Sequence, residues 1–71
     1  MRKLVNIEGM SCNHCVKHVE EALKELEGVS GVAVSLEKKN AVVDMKSDVA
    51  DDLIKAAVED AGYDVTGISR L

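Results

Sequence analysis

The chain has 71 residues, 46% hydrophobic and 31% charged, which fits one small globular domain and leaves no room for a separate substrate domain. A net charge of −4 and a single aromatic residue, Tyr63, argue against nucleic-acid binding, which calls for basic patches and stacking platforms. With eleven valines and no Phe, Trp or Pro, the core has to be thin and aliphatic.

Met1-Arg2-Lys3 has the charge of a secretory leader's start. The apolar run behind it is only Leu4-Val5, broken by Asn6 and Glu8, so it does not read as a signal peptide. No run approaches membrane-spanning length, and the expected location is the cytoplasm. Lys3 to Ile7 alternates as a first strand, with Val5 and Ile7 on one face. Gly9 to Asn13 reads as a loop. Val16, Val19, Leu23 and Leu26 then recur at helical spacing among Lys17, Glu20, Glu21, Lys24 and Glu25. This predicts an amphipathic helix starting near Asn13, with Gly28 as its stop.

Val32, Val34 and Leu36 give a second strand, Lys38-Lys39-Asn40 a polar turn, and Ala41, Val43 and Met45 a third strand, together a hairpin. Ser47 or Asp48 is placed to cap a second helix, with Asp51 and Asp52 in its first turn, where the helix dipole favours them. Val49, Leu53, Ala57 and Val58 form its expected buried stripe, with Ile54 and Ala61 beside them, and Gly62 ends it. Asp64 to Ser69 is a last, weaker strand containing Gly67. Strand, helix, strand, repeated once, predicts an α+β ferredoxin-like βαββαβ sandwich: a four-stranded antiparallel sheet with two helices on one face. Residues 1–71 read as one domain.

The chemistry concentrates in Gly9-Met10-Ser11-Cys12-Asn13-His14-Cys15. Two cysteines two residues apart close too small a loop to be a useful staple. In a reducing compartment such a pair is more often metal-binding or redox-active. Cys15 would sit in the first helical turn, where free N–H groups and the dipole favour thiolate. Two thiolates make a soft ligand pair, suited to Cu(I), Zn(II) or similar ions. A structural zinc site takes four ligands, usually two such pairs, and there is no second pair here. Cu(I) is satisfied by two or three soft ligands. An incomplete shell on a surface loop also admits a partner's thiols, which suits transfer better than storage.

The same stretch resembles the GMxCxxC motif of heavy-metal-associated domains. Gly28-Val29, the Val32-x-Val34 strand and Ala61-Gly62-Tyr63 also fit that family, in particular its CopZ-type bacterial copper chaperones. The resemblance implies the βαββαβ sandwich and a near-linear S–Cu–S site in which Cys12 and Cys15 bind Cu(I). It implies exchange of copper with a copper-transporting P-type ATPase metal-binding domain, or with a copper-responsive repressor. It also implies an inward-pointing Met10 that props the loop, and Tyr63 close to the metal.

Each of these residues also has a plainer reading. Met10 reads as core packing, and Met45 and Met1 do not suggest a methionine-rich copper site. His14 lies between the cysteines, but a helical start turns it away from Cys15; it reads as exposed, with support of the site as its second reading. His18, one turn on, reads as solvated surface. Tyr63 either caps the core edge or shields the metal. Lys38 and Lys39 read as a solvated turn, and Lys17 and Lys24 as an exposed face.

The chain starts at Met1 and stops just after the last strand, so it reads as free-standing, with a copper-ATPase metal-binding domain as the alternative. Ser11, where zinc-type relatives often carry an acid, favours copper over zinc, cadmium or mercury. A dithiol redox enzyme is the reading from another class, and the lack of Trp and Pro around the motif weighs against it. No enzyme activity is expected. A copper-bridged homodimer is expected at high concentration.

Overall fold

A computed structural model describes residues 1–71. The elements are β1 (Arg2–Glu8), α1 (Asn13–Lys24), β2 (Val29–Ser35), β3 (Asn40–Met45), α2 (Asp51–Asp60) and β4 (Asp64–Arg70). The strands form one antiparallel sheet in the order β2-β3-β1-β4. This is the ferredoxin-like βαββαβ arrangement that the sequence pattern predicts.

Period-two alternation sorts the central strands. Val5 and Ile7 of β1 and Ala41, Val43 and Met45 of β3 are buried, while Leu4, Asn6, Val42 and Asp44 between them are only half-buried. Above the buried face lie Val19 and Leu23 of α1 and Ile54 and Val58 of α2, in one continuous aliphatic core. Both helices therefore cover one face of the sheet. Each fully buried Val, Leu or Ile contributes about 1.5–3 kcal/mol of transfer free energy. That is how a chain without large aromatic anchors holds together.

The last strand hides an irregularity. Val65 and Ile68 are three residues apart, an odd spacing that should place them on opposite faces. The β1–β4 register shifts between Asn6, opposite Gly67, and Ile7, opposite Val65. The bulge returns both Val65 and Ile68 to the core side, where they pack against the buried cluster.

Three local expectations are corrected. Gly28 does not end α1: the helix stops at Lys24 with Glu25 as its C-cap, and Gly28 sits in the turn entering β2 with φ +96°. A Cβ on Gly28 would lie 2.7 Å from the Ser47 hydroxyl oxygen, so close approach of the β3–α2 loop demands glycine as much as the backbone does. Neither Ser47 nor Asp48 caps α2. The N-cap is Ala50, with no side-chain hydrogen bond, and Asp48 instead pairs with Lys3 and Arg70. Leu53 is exposed, because α2 presents Ile54 and Val58 to the core and turns Leu53 outward. Val16 and Leu26 are half-buried at the margins of the stripe, and Leu36 follows the end of β2.

Candidate metal centre

Strand β1 delivers the chain to the site, and Gly9 turns it with φ +98°, a conformation that L side chains rarely adopt. Met10 then drops into the core at 7% exposure, which pins the loop from beneath. Cys12 is extended (φ −158°, ψ 173°) and is the N-cap of α1. Its carbonyl accepts the N–H groups of Cys15 (3.1 Å) and Val16 (3.4 Å). Cys12 and Cys15 thus hold the N-cap and N3 positions, whose side chains face each other across the first turn. Their sulfurs are 3.5 Å apart, both thiols are free, Cys12 is exposed and Cys15 is half-buried.

Electrostatics distinguish Cys15. Its thiol is lowered from the ordinary range to about 6, chiefly by the backbone N–H of Ser11, then by the Tyr63 hydroxyl and the Cys12 thiol. Partial burial acts in the opposite direction. The Ser11 hydroxyl lies 3.9 Å from the same sulfur. Tyr63 shows the reciprocal effect: the neighbouring Cys15 thiol pushes its hydroxyl up to about 12, and burial adds to the shift.

Tyr63 is aimed by the end of α2. The helix closes in a Schellman turn, in which Gly62 (φ +100°) bonds through its N–H to the Glu59 carbonyl (2.9 Å) and Tyr63 to the Val58 carbonyl (3.2 Å). The next residue leaves towards β4, and the Tyr63 ring lies against Gly9: a Cβ there would be 3.6 Å from ring atom Cδ1.

The structure therefore brings Cys12, Cys15, Met10 and Tyr63 together, with Met10 beneath and Tyr63 beside. His14 and His18 are exposed, and the partners that shift the Cys15 thiol do not include His14. No group of three or more His, Cys, Asp or Glu side chains converges anywhere, so the soft pair stands without a third protein ligand of those types. Sequence reasoning missed the Ser11 backbone donor. No residue type announces it, because a backbone N–H is common to every residue but proline.

A pattern for the heavy-metal-associated domain matches residues 4–64. The chain belongs to the heavy-metal-associated domain family. It is 46% identical over 66 residues to the copper chaperone CopZ of Staphylococcus haemolyticus, covering 92% of this chain and 97% of that one. Among solved structures it resembles a CopZ metallochaperone (TM-score 0.87, 43% identity, 93% of this chain and 100% of the other). It also resembles a copper-binding domain of a P-type ATPase (TM-score 0.83, 35% identity, 96% and 97%). The heavy-metal-associated fold thus carries its thiols at the end of β1 and the start of α1, where the backbone supplies donors and the core supplies an anchor.

Proposed function

We propose that this heavy-metal-associated domain, residues 1–71, is a cytoplasmic copper chaperone that binds Cu(I) through Cys12 and Cys15. The observation that carries this is a pair of thiols 3.5 Å apart on a surface loop, one of them acidified to about 6. A site poised as thiolate at neutral pH binds a soft ion without first losing a proton there. The likeness to a copper chaperone along nearly the whole chain supports copper as the ion.

Two ligands alone suit Cu(I) and leave zinc's shell half filled. A linear S–Cu–S arrangement needs the sulfurs about 4.6 Å apart, twice a metal–thiolate bond of about 2.3 Å. The pair therefore opens by about 1 Å on loading, and Cys12, exposed on extended backbone, is the side free to move. The open positions of the ion admit an incoming thiolate, so copper passes by ligand exchange with no change of oxidation state. The likeness to a P-type ATPase domain supports such a domain as the partner; a copper-responsive repressor offering thiols is the other. Tyr63 and Met10 support the site by shielding and anchoring it, whereas His14 is exposed and takes no part in it. The chain acts as a carrier and not as an enzyme. No helix is long and apolar enough to cross a membrane.

Anaerobic Cu(I) titration against a competing chelator tests the reading. Cys12→Ser and Cys15→Ser should each lose most competitive Cu(I) binding while circular dichroism stays unchanged. Retention of parental affinity by either variant overturns the dithiolate site. Sedimentation of the loaded parent should show a copper-bridged dimer that glutathione dissolves, because two copies offer four thiolates to a shared ion.

A further inference from the structure

We propose that His14 and His18 form a second metal site on the outer face of α1, which takes Cu(II). The two residues are four apart on a continuous helix. At 3.6 residues per turn they lie about 40° apart around the axis and about 6 Å apart along it. Helical side chains lean towards the N-terminus, so the two imidazoles stand one above the other on one face. This i, i+4 spacing is the one by which a helix presents two imidazoles to a single divalent ion.

Both side chains are exposed, and neither imidazole takes part in a hydrogen bond or ion pair within the chain. Their ring nitrogens are therefore uncommitted. Cys15 lies about 80° around the helix from the pair's mean direction, so an ion held by the imidazoles uses no sulfur.

The surroundings favour a cation. His18 lines the groove between α1 and α2, a hollow of about 630 Å³, together with Glu21, Glu25 and Asp60, and no Lys or Arg lines it. Glu21 shares the outer face with the pair, about 20° from His14 around the axis. Lys17, between the two histidines, is exposed and free to extend its ammonium into water. No third ligand converges on the pair, which leaves the rest of the coordination shell to water.

An open two-imidazole site suits borderline ions, and in the usual affinity order of the divalent first-row metals Cu(II) stands highest. The two sites therefore differ in the ions they select: the soft thiol pair favours Cu(I), and the imidazole pair favours a borderline divalent ion, Cu(II) before Zn(II). The imidazole site stands independently of the dithiol reading.

The test uses the full chain with Cys12→Ser and Cys15→Ser. Otherwise the two thiols would reduce two Cu(II) ions to Cu(I) and close a disulfide, releasing two protons. Titration with Cu(II) sulfate, followed by electron paramagnetic resonance, should show one ion bound per chain by two imidazole nitrogens. Adding His14→Ala or His18→Ala should weaken binding by about tenfold or more, because the second imidazole binds intramolecularly. Zn(II) should bind more weakly to the same pair.

A His14→Ala or His18→Ala chain that holds Cu(II) as tightly as its parent overturns the proposal, as does a spectrum with a single imidazole nitrogen. Both residues are exposed, so folding is not at stake, and circular dichroism confirms it for each variant. Failure of the Cu(I) titration on the thiol-intact chain would count against the dithiol reading alone.

Discussion

Strand β1 begins beside a buried lysine and ends beside two accessible thiols, and its seven residues set the two about 20 Å apart. At the first end, Lys3 projects from the core face at 4% exposure. Its ammonium donates to the Val49 carbonyl (2.6 Å) and to Asp51 (2.7 Å), with Asp48 at 3.4 Å. Arg70 reaches Asp48 at 3.2 Å and Arg2 reaches Asp44 at 2.6 Å. At the other end no ion pair touches the thiol loop. The loop is held by Met10 in the core and by backbone geometry at Gly9 and Gly62. One end uses charge to fasten β1, α2 and β4 to one another. The other is fastened without charge, so its sulfurs remain unpaired and available. A loop locked by ion pairs could not open for an ion or admit a partner's thiol.

Breaking the thiol end's uncharged anchor should have the largest effect on stability. Met10→Ala removes a buried side chain and leaves a cavity under the loop, at a cost of about 2–5 kcal/mol. Urea denaturation should show a lower midpoint with little change in slope. Competitive Cu(I) binding should weaken at the same time, because the loop that spaces the two sulfurs loses its support. A chain that keeps parental stability would mean that Met10 is dispensable to the core.

The charged end should respond less, and without any effect on copper. Lys3→Met keeps the stem's packing but leaves the Val49 carbonyl without its donor, a penalty of about 1–3 kcal/mol. The carboxylates of Asp48 and Asp51 are about half exposed and rehydrate, which limits the loss. Lys3 is also a pH marker. Its ammonium is raised above the ordinary lysine value, mainly by the Asp51 hydrogen bond, although burial opposes the shift. The stabilisation is therefore fully present below the unfolded lysine pKa and is lost as pH rises through the folded one. Stability of the parent should fall in strongly alkaline solution, and Lys3→Met should lack that component. Equal alkaline slopes in thermal melts of the two proteins would show that the pairs contribute nothing.

The two ends also differ in how well the sequence announces them. Strict alternation in Ala41, Val43 and Met45, and helical spacing in Val19 and Leu23, made the hairpin, the helices and the sheet legible. The motif around Cys12 and Cys15 made the thiol pair legible, because ligand chemistry is local and its spacing is short. The charged end was not. Lys3 falls in register with Val5 and Ile7, but nothing local explains a lysine there, because its partners Asp48 and Asp51 lie 45 residues and more away. Asp48 itself looked like a helix cap, since a short acid before a helix usually is one, and long-range pairing won over that local preference. Leu53 misled for a similar reason: apolar type suggested burial, whereas the phase of α2 was set by Ile54 and Val58. The last strand was legible as Asp64 to Ser69, but its bulge was not, because Val65 and Ile68 stand three residues apart and break the alternation.

The smallest expected change returns to the thiol end. Tyr63→Phe keeps the ring against Gly9 and removes only the hydroxyl that helps to lower the Cys15 thiol. That hydroxyl favours the thiolate, so its loss should raise the Cys15 thiol above the parental value of about 6. The Ser11 N–H makes the larger contribution and is untouched, so the thiol should remain below the ordinary range. Cys15 is an acid with a depressed folded pKa. Its stabilising effect is therefore present above the unfolded pKa and is lost as pH falls through about 6. In the variant the contribution should be smaller and its loss complete at higher pH, because only the folded pKa moves. Ultraviolet absorbance of the thiolate, recorded through a pH titration of the reduced, metal-free chain, reads the midpoint directly. An upward shift with unchanged circular dichroism would fix the hydroxyl as a tuning group for the dithiol. An identical midpoint would leave Tyr63 as the cap of the core edge and give the whole acidification to the backbone and to Cys12.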